Sequence, residues 1–107
     1  MSIEPLDISE KEFLSQIIDL LKLFQWKFEH TFEQGVYARR TSKGFPDIVA
    51  VRSGMCLFIE LKDDKAKLSP EQVEWAIELQ TIASNNMGVM YCLWRPFMFD
   101  RIAEVLK

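Results

Sequence analysis

Cysteine, histidine, glycine and proline are all scarce in this chain. Its 107 residues include two Cys, one His, four Gly and four Pro. Cys56 and Cys92 each sit in an apolar, strand-like run, far apart and outside any C-x-x-C spacing. They read as two buried thiols, against a disulfide framework or a zinc site. So little Gly and Pro excludes a collagen-like or low-complexity chain. No apolar run approaches the roughly 20 residues of a membrane-spanning helix. The opening Met1-Ser2-Ile3-Glu4-Pro5 lacks the basic-then-apolar order of a signal peptide, so a reducing cytosol is expected. Excess positive charge is missing too. Thirteen Lys and Arg face 16 Asp and Glu, a net charge of −3. Bulk attraction to nucleic acid is therefore not expected, and binding to it would need a local basic surface. The excess acid lies at the front, where Glu4, Asp7, Glu10, Glu12 and Asp19 outnumber Lys11 and Lys22.

What is present suits one globular domain spanning 1–107. Hydrophobic residues make up 49% and charged residues 27%, the balance of a chain that buries a core without staples. Ser9 and Glu12 form a capping-box pattern that opens a helix at Glu10. Phe13, Ile17, Leu20, Leu21 and Phe24 form its buried stripe, widened by Leu14 and Ile18. Glu10 aligns with this stripe, so it reads equally as an acid at the rim of a site and as a first-turn carboxylate favoured by the helix dipole. Residues 26–30 alternate as a short strand. Residues 31–45 are polar, with Gly35 and Gly44, and suggest an exposed loop with room for a strand around Val36–Arg39. Strands are expected over 46–52 and 55–62. Ser69, Pro70 and Gln72 start a second helix, running to about Ser84. A strand over 89–94 and a closing helix over 97–106 complete an order α, β, β, β, α, β, α.

The Ser53-Gly54 pair is a two-residue hairpin signal. If these two residues are the whole turn, Arg52 pairs with Met55 and Asp47 falls opposite Glu60. Opposed residues share a face, and Lys62, two beyond Glu60, shares it too. Both strands are apolar on both faces, so two opposed carboxylates beside them need positive charge nearby. Lys62 supplies one charge, and an oxygen-rich site suits Mg²⁺ or Mn²⁺. The rival reading is a Glu–Lys pair that solubilises a strand end, which leaves Asp47 unexplained. The chemistry that uses this set is phosphodiester hydrolysis.

Pro46-Asp47, twelve residues, then Glu60-Leu61-Lys62 resembles the PD-(D/E)XK nuclease signature. Gly44–Val49, Phe58–Lys62, Leu68–Trp75 and Trp94-Arg95-Pro96 resemble the VRR-NUC family, and most closely its small stand-alone, often phage-borne members. The resemblance runs from about Glu10 to Leu106. It implies a restriction-endonuclease-like α/β fold: an αβββαβ core with a mixed sheet flanked by helices, plus a C-terminal helix. It implies a metal-dependent endonuclease acting on branched or structured DNA, such as Holliday junctions or flaps, as a homodimer in the cytoplasm of a bacterial or phage-infected cell. Asp47 and Glu60 would be metal ligands with the Leu61 carbonyl a third, and Lys62 the catalytic lysine. Gln72 matches a glutamine near the family's site, although the same side chain suits a capping box. Glu10 matches an acid on the family's first helix that binds metal directly or through water. Relatives often carry Gln where Leu14 stands and Gly where Gln25 stands.

Arg39, Arg40, Lys43, Lys65 and Lys67 flank this site and are candidate phosphate contacts, with solvated charge the expectation for at least half of them. His30 could approach the substrate, but a lone His at a strand end is by default structural. Trp75 and Trp94 read as packing residues. A different class of function is a module on the same fold that binds DNA or protein without turnover.

Overall fold

A computed structural model describes residues 8–31 and 42–107. The expected strand around Val36–Arg39, together with Arg39 and Arg40, lies outside the described residues. The elements are α1 (Glu10–Leu23), β1 (Lys27–His30), β2 (Ile48–Arg52), β3 (Met55–Leu61), α2 (Pro70–Asn85), β4 (Val89–Trp94) and α3 (Phe99–Leu106). Their order is the one read from the sequence.

The Ser9 hydroxyl caps α1 by accepting the Glu12 amide at 3.1 Å. Its Phe13, Ile17 and Leu21 are fully buried. The helix ends where Gln25 takes a left-handed φ of 62° and the amides of Gln25 and Trp26 fold back onto the carbonyls of Lys22 and Leu21. Glycine is the residue that such a φ favours.

The described strands form one sheet in the order β1-β2-β3-β4. β1, β2 and β3 run antiparallel, and the crossover through α2 sets β4 parallel to β3. Ser53 and Gly54 both have positive φ, 49° and 83°, as a tight hairpin turn requires. The turn fixes the expected register, from Arg52 opposite Met55 to Ile48 opposite Ile59. On one face, Ile48, Ala50, Leu57, Ile59, Leu61, Cys92 and Trp94 pack with the α1 stripe and with Ile102 and Leu106 of α3. Full burial of each large apolar side chain contributes roughly 1.5–3 kcal/mol. By alternation Val49, Phe58, Glu60, Tyr91 and Leu93 point to the other face, which α2 covers. The result is a mixed sheet with helices on both faces and a helix at the C-terminal end. Cys92 is buried and Cys56 partly so, both as free thiols. Among the described residues no helix is long and apolar enough to cross a membrane.

Several boundaries differ from expectation, and β1 starts at Lys27 rather than Trp26. β2 starts at Ile48, so Pro46 and Asp47 precede it; Pro46 has no amide to give a ladder. β3 ends at Leu61, although the Lys62 amide still donates to the Trp94 carbonyl. A 3-10 turn, Pro96–Met98, comes before α3, with Pro96 pre-set for its first position.

Gln25→Gly should raise unfolding free energy by about 0.5–1 kcal/mol, because it relieves a side chain in a left-handed conformation. Urea denaturation midpoints measure this; an unchanged or lowered midpoint contradicts it.

Candidate active site

β2 begins one residue after Asp47, β3 ends one residue before Lys62, and β4 ends beside them. The site lies at this end of the sheet, on the face toward α2. Glu60 is 1% exposed and is the one charged side chain in the buried set among the described residues. A carboxylate so deep is costly unless polar groups meet it. The Gln72 side-chain amide, on the first turn of α2, donates to Glu60 Oε1 at 2.6 Å.

Gln72 also closes the capping box. Its Oε1 accepts the Ser69 amide at 2.8 Å, and its own amide donates to the Ser69 hydroxyl at 3.2 Å. The two uses that the sequence left as alternatives are made at once, by opposite ends of one amide. With Oε1 engaged by an N–H, Nε2 must face Glu60 as a donor.

Asp47 is partly buried, and its Oδ2 accepts the Leu61 amide at 2.8 Å. Past the end of β2, this side chain supplies an acceptor to β3. Continuing the β2–β3 register by one residue puts Asp47 opposite Glu60. Tyr91, on the same face, senses both: burial first, then the charges of Glu60, Cys92 and Asp47, push its phenol up to about 12. The ladder bond from the Lys62 amide continues β3, so two-residue alternation places Lys62 on Glu60's face. Lys62 is partly exposed.

The loop before Asp47 reaches the site through a close approach. Gly44 has φ +86°, and a Cβ built there would lie 2.5 Å from the Glu71 carbonyl carbon and 2.7 Å from the Gln72 nitrogen. Only glycine lets the backbone lie against the start of α2. Phe45 then packs edge-on to Trp75 at 4.9 Å and to Phe58 at 6.3 Å. Trp75 and the buried Trp94 are thus packing residues, as expected.

Other expected residues fall outside this cluster. Glu10 is exposed in the first turn of α1. No three His, Cys, Asp or Glu side chains gather into a metal-holding group among the described residues. Among the described residues, Asp47 and Glu60 therefore converge without a third carboxylate. His30 pairs with Ile48, which puts it on the α1 side of the sheet, away from the carboxylates. Lys43 is 82% exposed and pairs with Glu71 at 3.4 Å. Such a pair contributes little to stability and leaves the ammonium accessible.

Lys65 and Lys67 are exposed on the loop that follows Lys62. Asp63 Oδ1 accepts the amides of Lys65 and Ala66, which hold the Asp63 carboxyl below its usual range. Arg95 Nη1 donates to the carbonyls of Asp63 and Ala66, both at 2.7 Å, and Asp64 Oδ1 accepts the Phe97 amide at 3.0 Å. Arg95 and Tyr91 bear on the site without having been singled out as site residues. For Arg95 the signal was there, in the Trp94-Arg95-Pro96 motif; for Tyr91 only the parallel register reveals it.

This architecture has counterparts among solved structures. A structure described as a VRR_NUC domain protein superposes with a TM-score of 0.64 at 21% identity, covering 94% of this chain and 87% of the other. A second, described as a VRR_NUC domain, gives a TM-score of 0.60 at 14% identity, covering 91% and 97%. The fold is that of the VRR_NUC domain. Within this VRR_NUC fold, the ends of β2 and β3 carry the acidic pair, and the first turn of α2 carries the glutamine that bonds Glu60. No protein-family model matches the chain, and no curated protein is significantly similar to it in sequence.

The phenol of Tyr91 holds its proton more tightly in the folded protein than in the unfolded chain. Its contribution to stability is complete below pH 10 and is lost as pH rises toward about 12. The difference in alkaline absorbance titration between wild type and Tyr91→Phe should show a midpoint near 12; a midpoint near 10 contradicts burial beside two carboxylates.

Proposed function

We propose that this chain is a divalent-metal-dependent endodeoxyribonuclease of the VRR-NUC type. The observation that carries the reading is the Asp47 carboxylate seated on the Leu61 amide, one residue beyond the ladder, where continuing the register sets it opposite buried Glu60. Two carboxylates at one strand end are hard oxygen donors that fit Mg²⁺ or Mn²⁺. Asp47 and Glu60 would hold the ion, with the Leu61 main-chain carbonyl as a third donor. When bound, the ion polarises a phosphoryl oxygen and lowers the pKa of a coordinated water.

The chain's own groups do the rest. The Gln72 amide fixes Glu60 Oε1, so Glu60 presents its carboxylate in one orientation. The Leu61 amide does the same for Asp47. Lys62 orients the attacking water and offsets the negative charge that develops on the phosphate. Glu10, exposed in the first turn of α1, would reach the ion through water, one of the two ways the resemblance implies. Lys65 and Lys67 contact backbone phosphates from a loop that Arg95 holds in shape, and Lys43 exchanges Glu71 for phosphate. These lysines give an acidic protein the local positive surface that a polyanion needs.

Branched or structured DNA is the proposed substrate, in keeping with the sequence resemblance to VRR-NUC proteins. A symmetric homodimer would present one site to each of two junction strands.

Labelled four-way junctions, flaps and linear duplexes incubated with Mg²⁺, Mn²⁺ or EDTA test this. Wild type should cut branched DNA with either metal and not with EDTA. Lys62→Ala should lose at least about 100-fold in rate. Tight binding to DNA without cutting in either metal would replace the enzyme with a binding module.

A further inference from the structure

We propose that Thr31 is a positioning residue for the Asp47 carboxylate; this rests on the metal site proposed above. Thr31 follows β1 and belongs to no catalytic motif. Its main-chain amide donates to the Asp47 carbonyl at 2.8 Å. Its hydroxyl donates to the Pro46 carbonyl at 2.9 Å and reaches the Asp47 carbonyl at 3.2 Å. These carbonyls belong to the two peptide units that flank the Asp47 Cα. With both planes held, Asp47 φ and ψ are held, and so is the direction of its Cβ.

The need for such a hook is local. Asp47 lies outside β2, and Pro46 before it lacks an amide. A side chain projecting from a strand end would otherwise inherit the freedom of the loop. Thr31 ties the start of Asp47 to β1 while Leu61 ties its carboxylate to β3. The side chain is thus fixed at both ends, and the hydroxyl is the part of Thr31 that a neighbouring aliphatic residue could not replace. Residues that orient metal-binding side chains in this way affect metal affinity even though they never touch the ion.

Mn²⁺ binding to the whole chain, measured by titration calorimetry without DNA, tests the inference. Thr31→Val keeps the shape and the main-chain amide and deletes the hydroxyl. It should weaken Mn²⁺ binding by about tenfold. Thr31→Ser should bind within about twofold of wild type, because it restores the hydroxyl. If Thr31→Val does not fold, Thr31→Ala takes its place in the same comparison. A Thr31 variant lacking the hydroxyl that unfolds at lower temperature but binds Mn²⁺ like wild type would overturn the proposal, since Thr31 would then be merely structural. Asp47→Asn separates this from the parent reading. Should Asp47→Asn also bind Mn²⁺ like wild type, the metal site itself is wrong; should it lose binding while Thr31→Val keeps it, only the role of Thr31 falls.

Discussion

The pairing of β2 with β3 is the constraint on which the site depends. A two-residue turn with both central residues at positive φ admits one register, and a slip of one position would send Asp47 and Glu60 to opposite faces. The same register seats Ile48, Ala50, Leu57 and Ile59 in the core. The apolar packing that stabilises the fold therefore also enforces the encounter of the two carboxylates. A slip would expose those four side chains, at a cost of several kcal/mol.

The second constraint is the start of α2. A capping box is usually a local device that satisfies two amides of a helix end. Here its glutamine also reaches the sheet, so the geometry of the helix terminus is transmitted to buried Glu60. Gly44 brings the preceding loop into contact with the same turn, and the Phe45–Trp75 contact holds it there. Asp47 and Gln72 thus approach Glu60 from two segments that are packed against each other. Beyond the carboxylates, Arg95 and Asp64 give the lysine-bearing loop a fixed shape without using a lysine to do so.

Much of this was legible in the sequence, for physical reasons. The hairpin and the α1 stripe follow from local rules: turn geometry and helical period. The convergence of Asp47 with Glu60 follows from the hairpin alone. Other features depend on contacts between segments distant in sequence. The hook from Thr31 to Pro46 and Asp47 exists only once β1 is paired with β2. Tyr91 comes alongside Glu60 only through the parallel crossover. Gln72 had two plausible partners, and no spacing rule shows that one amide serves both. Periodicity aligned Glu10 with the buried stripe, but a first-turn residue can overhang the end of the sheet, and Glu10 is exposed. Pro46 and Asp47 looked like strand residues because Ile48–Val51 is strongly apolar, yet a proline starts no ladder bond.

The central claim is that Asp47 and Glu60 jointly hold one divalent cation. Anomalous diffraction from crystals soaked in Mn²⁺ tests it most directly. A peak is expected within coordination distance of both carboxylates, near the Leu61 carbonyl. A peak elsewhere on the protein, or none between two well-ordered carboxylates, would contradict it.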